Sequence, residues 1–360
     1  PVLQAAPRAQ VQGQGSRLHR PVRERRHRRH PAPARSGARE GRSPHRRDAP
    51  RRVPWSRDRQ APRRRLERRR QRGEGVSVDS PRVTVVIPAY NEEAFIALTL
   101  QSLVSQTLLP KKVVVVNDSS TDKTAEIVLA FAKENPFIRL VNNTSNAVHL
   151  PGSKVIQAFQ KGFETLDENY DIIVKLDADL IFPSNYLEQL AIYFNSNEKL
   201  GMASGFCYIK TKDEWVLENL TRKDHIRGAL KAYRKACFMQ IGKLKPSMGW
   251  DTVDELLAKY YKWDILTDES LHVKHLKPTG ISYNEASKFM QGEAMYKMRY
   301  GFLITIISAL KLAHKKGSFS LFKDYMSGYF KAKKEKIDFL VSEEEGKFIR
   351  TLRWKGILKK

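Results

Sequence analysis

Lys, Asn, Ile, Phe, Tyr and Met are all missing from the first 80 residues of this 360-residue chain and occur only after residue 80. The same stretch holds 24 Arg against 7 acids, a balance of +17, so residues 81–360 carry only +9 of the formal net charge of +26. The basicity is therefore concentrated at one end and does not by itself mark the remainder as nucleic-acid-binding. With its apolar residues few and scattered, segment 1–80 cannot repay the entropy of ordering and is expected to be a disordered Arg/Pro-rich tail. Three readings of it are open: a basic arm for RNA, DNA or anionic lipid, a solvated tail without a role, or a stretch that is no natural part of the protein. The codons of Lys, Asn, Ile, Phe, Tyr and Met are rich in A and T, and the chain opens on Pro1 rather than Met, which favours the third.

Other absences narrow the class further. Two cysteines, Cys207 and Cys237, exclude a disulfide framework or a zinc site built from cysteine alone, and fit a reducing compartment. The first residues show no apolar run of signal-peptide type. FLITIISAL, residues 302–310, falls far short of the roughly 20 apolar residues of a spanning helix. The expectation is a soluble, cytoplasmic protein, at the inner face of the membrane if it associates with one.

What is present from residue 82 is strand–helix alternation. RVTVVIP, KKVVVVND, FIRLVNN and YDIIVKLDADL read as strands, and EEAFIALTLQSLVSQ, TDKTAEIVLAFAKEN and GSKVIQAFQKGFETL as amphipathic helices between them. Continuous apolar strands separated by helices imply a Rossmann-like, mostly parallel sheet covered on both faces. After residue 184 the pattern loosens: SNYLEQLAIYFNSN reads as a helix, GMASGFCYIK as a strand, then comes a polar segment to about 235, and the part from about 285 is helical and basic. The expected organisation is a tail over 1–80, an α/β domain over 81–283 and a helical basic extension over 284–360.

Ligands of such sheets bind beyond the carboxyl ends of the strands. Those ends carry PAYNEE, NDSSTD and DAD, so Tyr90, Asn91, Glu92, Asp118, Asp177 and Asp179 are expected to share one crevice. Converging acids flanked by apolar residues need a cation or hydrogen-bond donors, and a divalent metal carrying a phosphorylated substrate fits best. In an extended segment Asp177 and Asp179 would point the same way and reach one ligand together.

VTVVIPAYNEE, VVVVNDSSTDKT, VKLDADL and GWDTVDE, in that order and spacing, resemble inverting family 2 glycosyltransferases of the GT-A fold, over roughly residues 82–275; the tail from 285 resembles the helical extension of some bacterial members. The resemblance implies that Pro88, Ala89, Tyr90 and Glu92 form the first nucleotide-binding loop, that Asp118 accepts a hydrogen bond from the nucleotide base, and that Gly152 and Lys154 lie near the nucleotide. It implies that Asp177 and Asp179 hold Mg or Mn against a diphosphate, and that Asp254 is the catalytic base. The family's Glu-Asp pair is here Val253–Asp254–Glu255, which leaves Asp251 and Glu255 as rivals. The implied activity is transfer of a sugar from a nucleotide-diphosphate donor to a hydroxyl of a glycan or lipid-linked acceptor, in polysaccharide or glycolipid synthesis.

Several residues have plainer readings. Asp122 suits a helix cap and Glu93 a helix dipole. His272 and His275, in LHVKHLK, read as alternating along a strand, with His275 a candidate third metal ligand. Arg234 suits a diphosphate, and Trp250 a sugar ring or the core. Lys311, Lys315, Lys316 and the KAKKEK run suit either solvent or anionic lipid. Two other classes compete. A nucleotidyltransferase would show a Gly-rich basic loop, whereas PAYNEE is acidic and lacks Gly; a nucleic-acid-binding protein built on the Arg-rich segment leaves the acids unexplained.

Overall fold

A computed structural model of the chain describes residues 80–144, 152–218, 223–277 and 287–358. The expected disorder of 1–79 and the expected boundary at 283/284 lie outside the described residues.

Runs rich in Val and Ile form β1 (Val83–Ala89), β2 (Lys112–Asp118) and β4 (Ile172–Leu176), with β3 (Ile138–Asn143) beside β2. They alternate with α1 (Ile96–Val104), α2 (Thr124–Glu134) and α3 (Ser153–Glu164). Then follow β5 (Leu180–Ile181), α4 (Tyr186–Ser196), β6 (Leu200–Thr211), β7 (Glu214–Leu217), β8 (Leu230–Arg234), α5 (Lys235–Gln240), α6 (Trp250–Tyr260) and β9 (Asp264–His275). Four helices end the described chain: α7 (Ser287–Lys297), α8 (Phe302–Lys315), α9 (Ser320–Lys334) and α10 (Glu343–Leu358).

The strand order is β3-β2-β1-β4-β8-β6-β9-β5, with β7 hydrogen-bonded to β6. β3, β2, β1 and β4 run parallel; β8 is antiparallel to both β4 and β6, while β6 and β9 are parallel. The sheet is thus mixed, parallel in the half read from the runs rich in Val and Ile. Because β1, β2 and β4 run the same way, the segments after Ala89, Asp118 and Leu176 leave from one edge.

Alternation sorts each strand between two cores. Val113 and Val115 pack with α1, α2 and α4 on one face, whereas Val114 and Val116 pack with α3, α5 and α6 on the other. Burial on both faces explains why the middle of β2, Val113–Val116, is apolar at every position. α3 rides close to the sheet at Gly162, where a Cβ would lie 2.6 Å from Val116 Cγ2 and 2.7 Å from Val86 Cγ1. The second core continues into the C-terminal helices: Ala294, Met298, Tyr300, Ile304 and Ile349 cluster with Trp250, Val253 and Leu257. No described helix is long and apolar enough to cross a membrane.

Candidate active site at the carboxyl edge of the sheet

The loop after β1 is held in shape by the loop after β2. The Asn91 amide donates to Ser120 Oγ (3.0 Å) and its side-chain oxygen accepts from the Thr121 amide (2.8 Å). The Glu92 amide donates to Thr124 Oγ1 (2.8 Å). Asn91 and Ser119 both adopt left-handed backbone, with φ of 53° and 62°. Asp122 serves this lacing, accepting the amides of Glu93 and Thr124, each at 3.0 Å. Glu93 accepts the Lys123 amide.

Pro88 and Ala89, expected in the loop, instead complete β1, in register with Val116 and Asn117. Pairing with β4 has already stopped at Val86–Lys175, so Pro88, which has no N–H, costs no bond on that side. The loop begins at Tyr90, which is half exposed. Lys154 Nζ stands 5.7 Å from the Tyr90 ring centroid. Gly152 opens α3 with φ 78°, and a Cβ there would lie 2.9 Å from the Ser247 carbonyl oxygen, so the position requires glycine. Asp118, buried at the tip of β2, accepts from Asn143 Nδ2 at 2.7 Å.

The Asp177–Asp179 segment differs from expectation. β4 ends at Leu176 and the chain turns through 177–179 rather than staying extended. A buried Thr99 on α1 fixes the turn: its Oγ1 donates to the Ala178 carbonyl (2.7 Å) and accepts the Leu180 amide (3.0 Å). Asp177 pairs with the buried Lys175, whose Nζ also donates to the Gly228 carbonyl (2.8 Å). Asp179 is buried and faces His275 Nε2 across 3.4 Å, while His275 Nδ1 meets Glu218 Oε2 at 2.9 Å. Burial pulls the His275 pKa down, but Asp179 and Glu218 outweigh it and raise it to about 9. His272, three residues earlier, points to the opposite face of β9 and stacks beside Tyr208, with ring centroids 4.2 Å apart.

Glu92 joins the same crevice. One oxygen meets Lys277 Nζ at 2.5 Å, and the other is buried without a hydrogen-bond partner among the described residues. Burial raises its pKa; Lys277 opposes this, while the nearby Asp179 and Asp177 add to it. Three carboxylates, one of them with a buried oxygen lacking a partner among the described residues, suit a hard divalent cation such as Mg or Mn; His275 can join them only by giving up a proton as the cation binds. A cysteine-bearing site suits it less: Cys207, Glu218 and His275 present donor atoms within 4.8 Å of one another, but burial pushes the Cys207 thiol up and keeps it protonated.

Asp254, expected as the catalytic base, lies in a second, buried network under α6. Both its oxygens meet Lys231 Nζ at 2.9 Å, Oδ2 accepts from Tyr233 at 2.6 Å and Oδ1 accepts the Glu255 amide at 2.6 Å. Its side chain is 1% exposed. Glu255 is nearly as buried, accepting the Ile226 amide (2.8 Å) and facing His225 Nδ1 (3.0 Å). Asp251, one turn earlier, keeps 34% of its side chain exposed. It packs on Gly228, where a Cβ would lie 3.4 Å from Asp251 Cβ and 2.9 Å from Trp250. Because Gly228 also receives Lys175, Asp251 borders the crevice of Asp177. Burial raises the Asp251 pKa, but His225 and Lys231 outweigh it and hold the carboxyl below the ordinary range.

Trp250 fills the core between two lysines, with Lys175 Nζ 5.3 Å and Lys231 Nζ 5.6 Å from its ring. Arg234 pairs with Ile172 at the start of β4, the end away from Asp177 and Asp179, and donates to the carbonyls of Phe194, Asn197 and Leu200. Thr99, Lys175, His225, Lys231 and Glu218 went unread in the sequence. Only the lysines carried a signal, as charges inside apolar strands.

A mixed α/β sheet with acids gathered at the carboxyl edge of its parallel half is the class this geometry defines. Residues 84–243 match the sequence model of "Glycosyl transferase family 2". The probable glycosyltransferase YdaM of Bacillus subtilis is 36% identical over 134 residues, which cover 35% of this chain and 29% of that protein. Poly-beta-1,6-N-acetyl-D-glucosamine synthase of Staphylococcus epidermidis is 28% identical over 132 residues, 36% of this chain and 29% of that one. Among solved structures, the mannosyltransferase PcManGT from Pyrobaculum calidifontis, in complex with GDP-Man and Mn2+, aligns at 16% identity over 82% of this chain and 88% of its own, with a TM-score of 0.45. The chain spans about a third of the length of the curated relatives it matches. The domain built on residues 84–243 belongs to glycosyl transferase family 2.

Proposed function

We propose that the protein transfers a sugar from a nucleotide-diphosphate donor to an acceptor hydroxyl with inversion, in polysaccharide or glycolipid synthesis. The observation that carries this reading is the gathering of Glu92, Asp177 and Asp179, all inside the segment that matches the family, beside His275 of β9, with one buried Glu92 oxygen lacking a hydrogen-bond partner among the described residues. Family membership supports the nucleotide-sugar donor, and the similarity to a polysaccharide synthase supports the product class. Two buried free thiols, Cys207 and Cys237, suit the cytoplasm.

In this reading Asp177, Asp179 and His275 hold Mg or Mn, which when bound offsets negative charge on the departing diphosphate. Lys175 sets the direction of Asp177, and Thr99 fixes the turn that carries both aspartates. Tyr90 and Lys154 border the donor, and Asp118 accepts a hydrogen bond from its base. The acceptor hydroxyl must lose a proton as it attacks the anomeric carbon. We assign that proton to Asp251, because it is the least buried acid of α6 and borders the crevice, and Asp254 to the support beneath it.

The test separates donor binding from transfer. Mn-dependent thermal stabilisation is measured across UDP-, GDP- and dTDP-sugars, followed by turnover with the donor that binds. Asp179→Ala should lose the Mn-dependent stabilisation. Asp251→Asn should keep it while turnover falls by about 10²-fold or more. Full turnover in Asp251→Asn would place the base elsewhere.

A further inference from the structure

We infer that the outer face of the α8–α9 hairpin is a docking surface for an anionic lipid bilayer. This inference does not rest on the catalytic reading.

Residues 302–334 contain seven lysines and a single acid, Asp324. All seven lysines (311, 315, 316, 323, 331, 333 and 334) are exposed. Between them the surface is apolar. Leu303 is 62% and Phe319 65% exposed, and Phe302, Leu310 and Phe330 are each exposed by more than two fifths. The inward sides of the same helices are already occupied, by Ile304, Ala309 and Ala313 on α8 and by Tyr325, Tyr329 and Ala332 on α9. Each helix is therefore apolar on two sides, and only one of them is covered.

The spacing makes two stripes. Leu303 and Leu310 are seven residues apart on α8, two turns along one face. Phe319, Phe322, Met326 and Phe330 recur every three to four residues from the start of α9, again along one face. The stripes meet where the Phe302 and Phe330 rings come within 5.8 Å, and Phe319 stacks on Phe322 at 5.5 Å beside the turn.

Leucines and phenylalanines ringed by lysines complement a surface that is apolar at depth and anionic at its rim. The headgroup region of a bilayer with anionic lipid has that layering: rings enter the acyl boundary while lysines reach phosphates. Nucleic acid would match the lysines and leave the Leu and Phe in water. With 14 and 15 residues, α8 and α9 are too short to span and would lie along the surface.

Residues 1–80, with 24 Arg, would also bind anionic vesicles, so the experiment must locate the contact. The full chain carrying Phe319→Cys is labelled with an environment-sensitive fluorophore and mixed with phosphatidylcholine vesicles, with and without phosphatidylglycerol. The expected result is a blue shift and intensity gain only with the anionic vesicles. In co-sedimentation, Lys311→Glu combined with Lys323→Glu and Lys331→Glu should weaken binding by about tenfold or more. Leu303→Ser with Phe319→Ser should weaken it while leaving circular dichroism unchanged, since both side chains are exposed. An unshifted label on a chain that sediments with the vesicles would assign the contact to another segment, and no sedimentation at all would remove the bilayer; either result overturns the inference.

Discussion

Lys175 and Lys231 stand inside apolar strands with 2% and 0% of their side chains exposed. A buried ammonium is costly unless paired, and the two pairs formed here organise both halves of the site. Lys175 takes Asp177, and Lys231 takes Asp254. The reasoning that singles out Asp177 and Asp179, charge among apolar neighbours, applies equally to IIVKL and LKAYR. Sequence shows that such a lysine needs a partner; it does not show which of Asp251, Asp254 and Glu255 is consumed as that partner and which is left for chemistry. His225 yields a prediction at this scale. Burial lowers its pKa, but Asp251 and Glu255 raise it to about 9, above the 6.5 of a free imidazole. A raised folded pKa means the stabilisation is fully present below about pH 6.5 and is lost as pH climbs through 9. Denaturant unfolding should therefore show stability falling over that window by up to about 3 kcal/mol, and His225→Gln should flatten the decline. An unchanged slope in the variant would show that His225 is not protonated in the folded protein.

At the scale of elements, the readable ones were those with continuous apolar character or helical spacing: β1 to β4, α1 to α4 and β6. β8 escaped because its five residues, LKAYR, include a lysine and an arginine whose burial is set by strands on either side. β9 was read only at its C-terminal end; its first half is held by β6 alone, with register shifts along the pair. The C-terminal helices were legible as helices, but not their mutual packing. α7 and α9 approach so closely that a Cβ on Gly292 would lie 1.7 Å from the Tyr325 carbonyl oxygen, and one on Gly328 would lie 1.9 Å from that of Phe289. Helix backbones reach such contact only where side chains are absent at the crossing. Gly328→Val should force α7 and α9 apart and lower stability by about 2–4 kcal/mol, read by thermal unfolding. A change under about 0.5 kcal/mol would mean that the helices cross elsewhere.

At the scale of the whole molecule, the helices after residue 287 and the sheet domain share one core. Ile349 of α10 is fully buried in the cluster that holds Trp250, Val253 and Leu257 of α6, and Tyr261 donates to Glu345 Oε1 at 3.0 Å. Ile349→Ala should cost about 2–5 kcal/mol and should speed amide exchange in α6 as well as in α10. Exchange confined to α10 would mark the helical extension as an independent unit. The sequence by itself determined the parallel half of the sheet, its flanking helices and the edge at which the acids emerge, because those follow from local periodicity and from the common direction of neighbouring parallel strands. Tertiary structure decided which acid is spent on a buried lysine and which faces the crevice. It also set the turn that aims Asp177 and Asp179, and the side on which the last helices are covered. Apart from the Lys175–Asp177 pair, two positions apart, these depend on contacts between residues 20 to 185 positions apart, Lys231 with Asp251 and Glu92 with Lys277 among them, and no local pattern encodes such a distance.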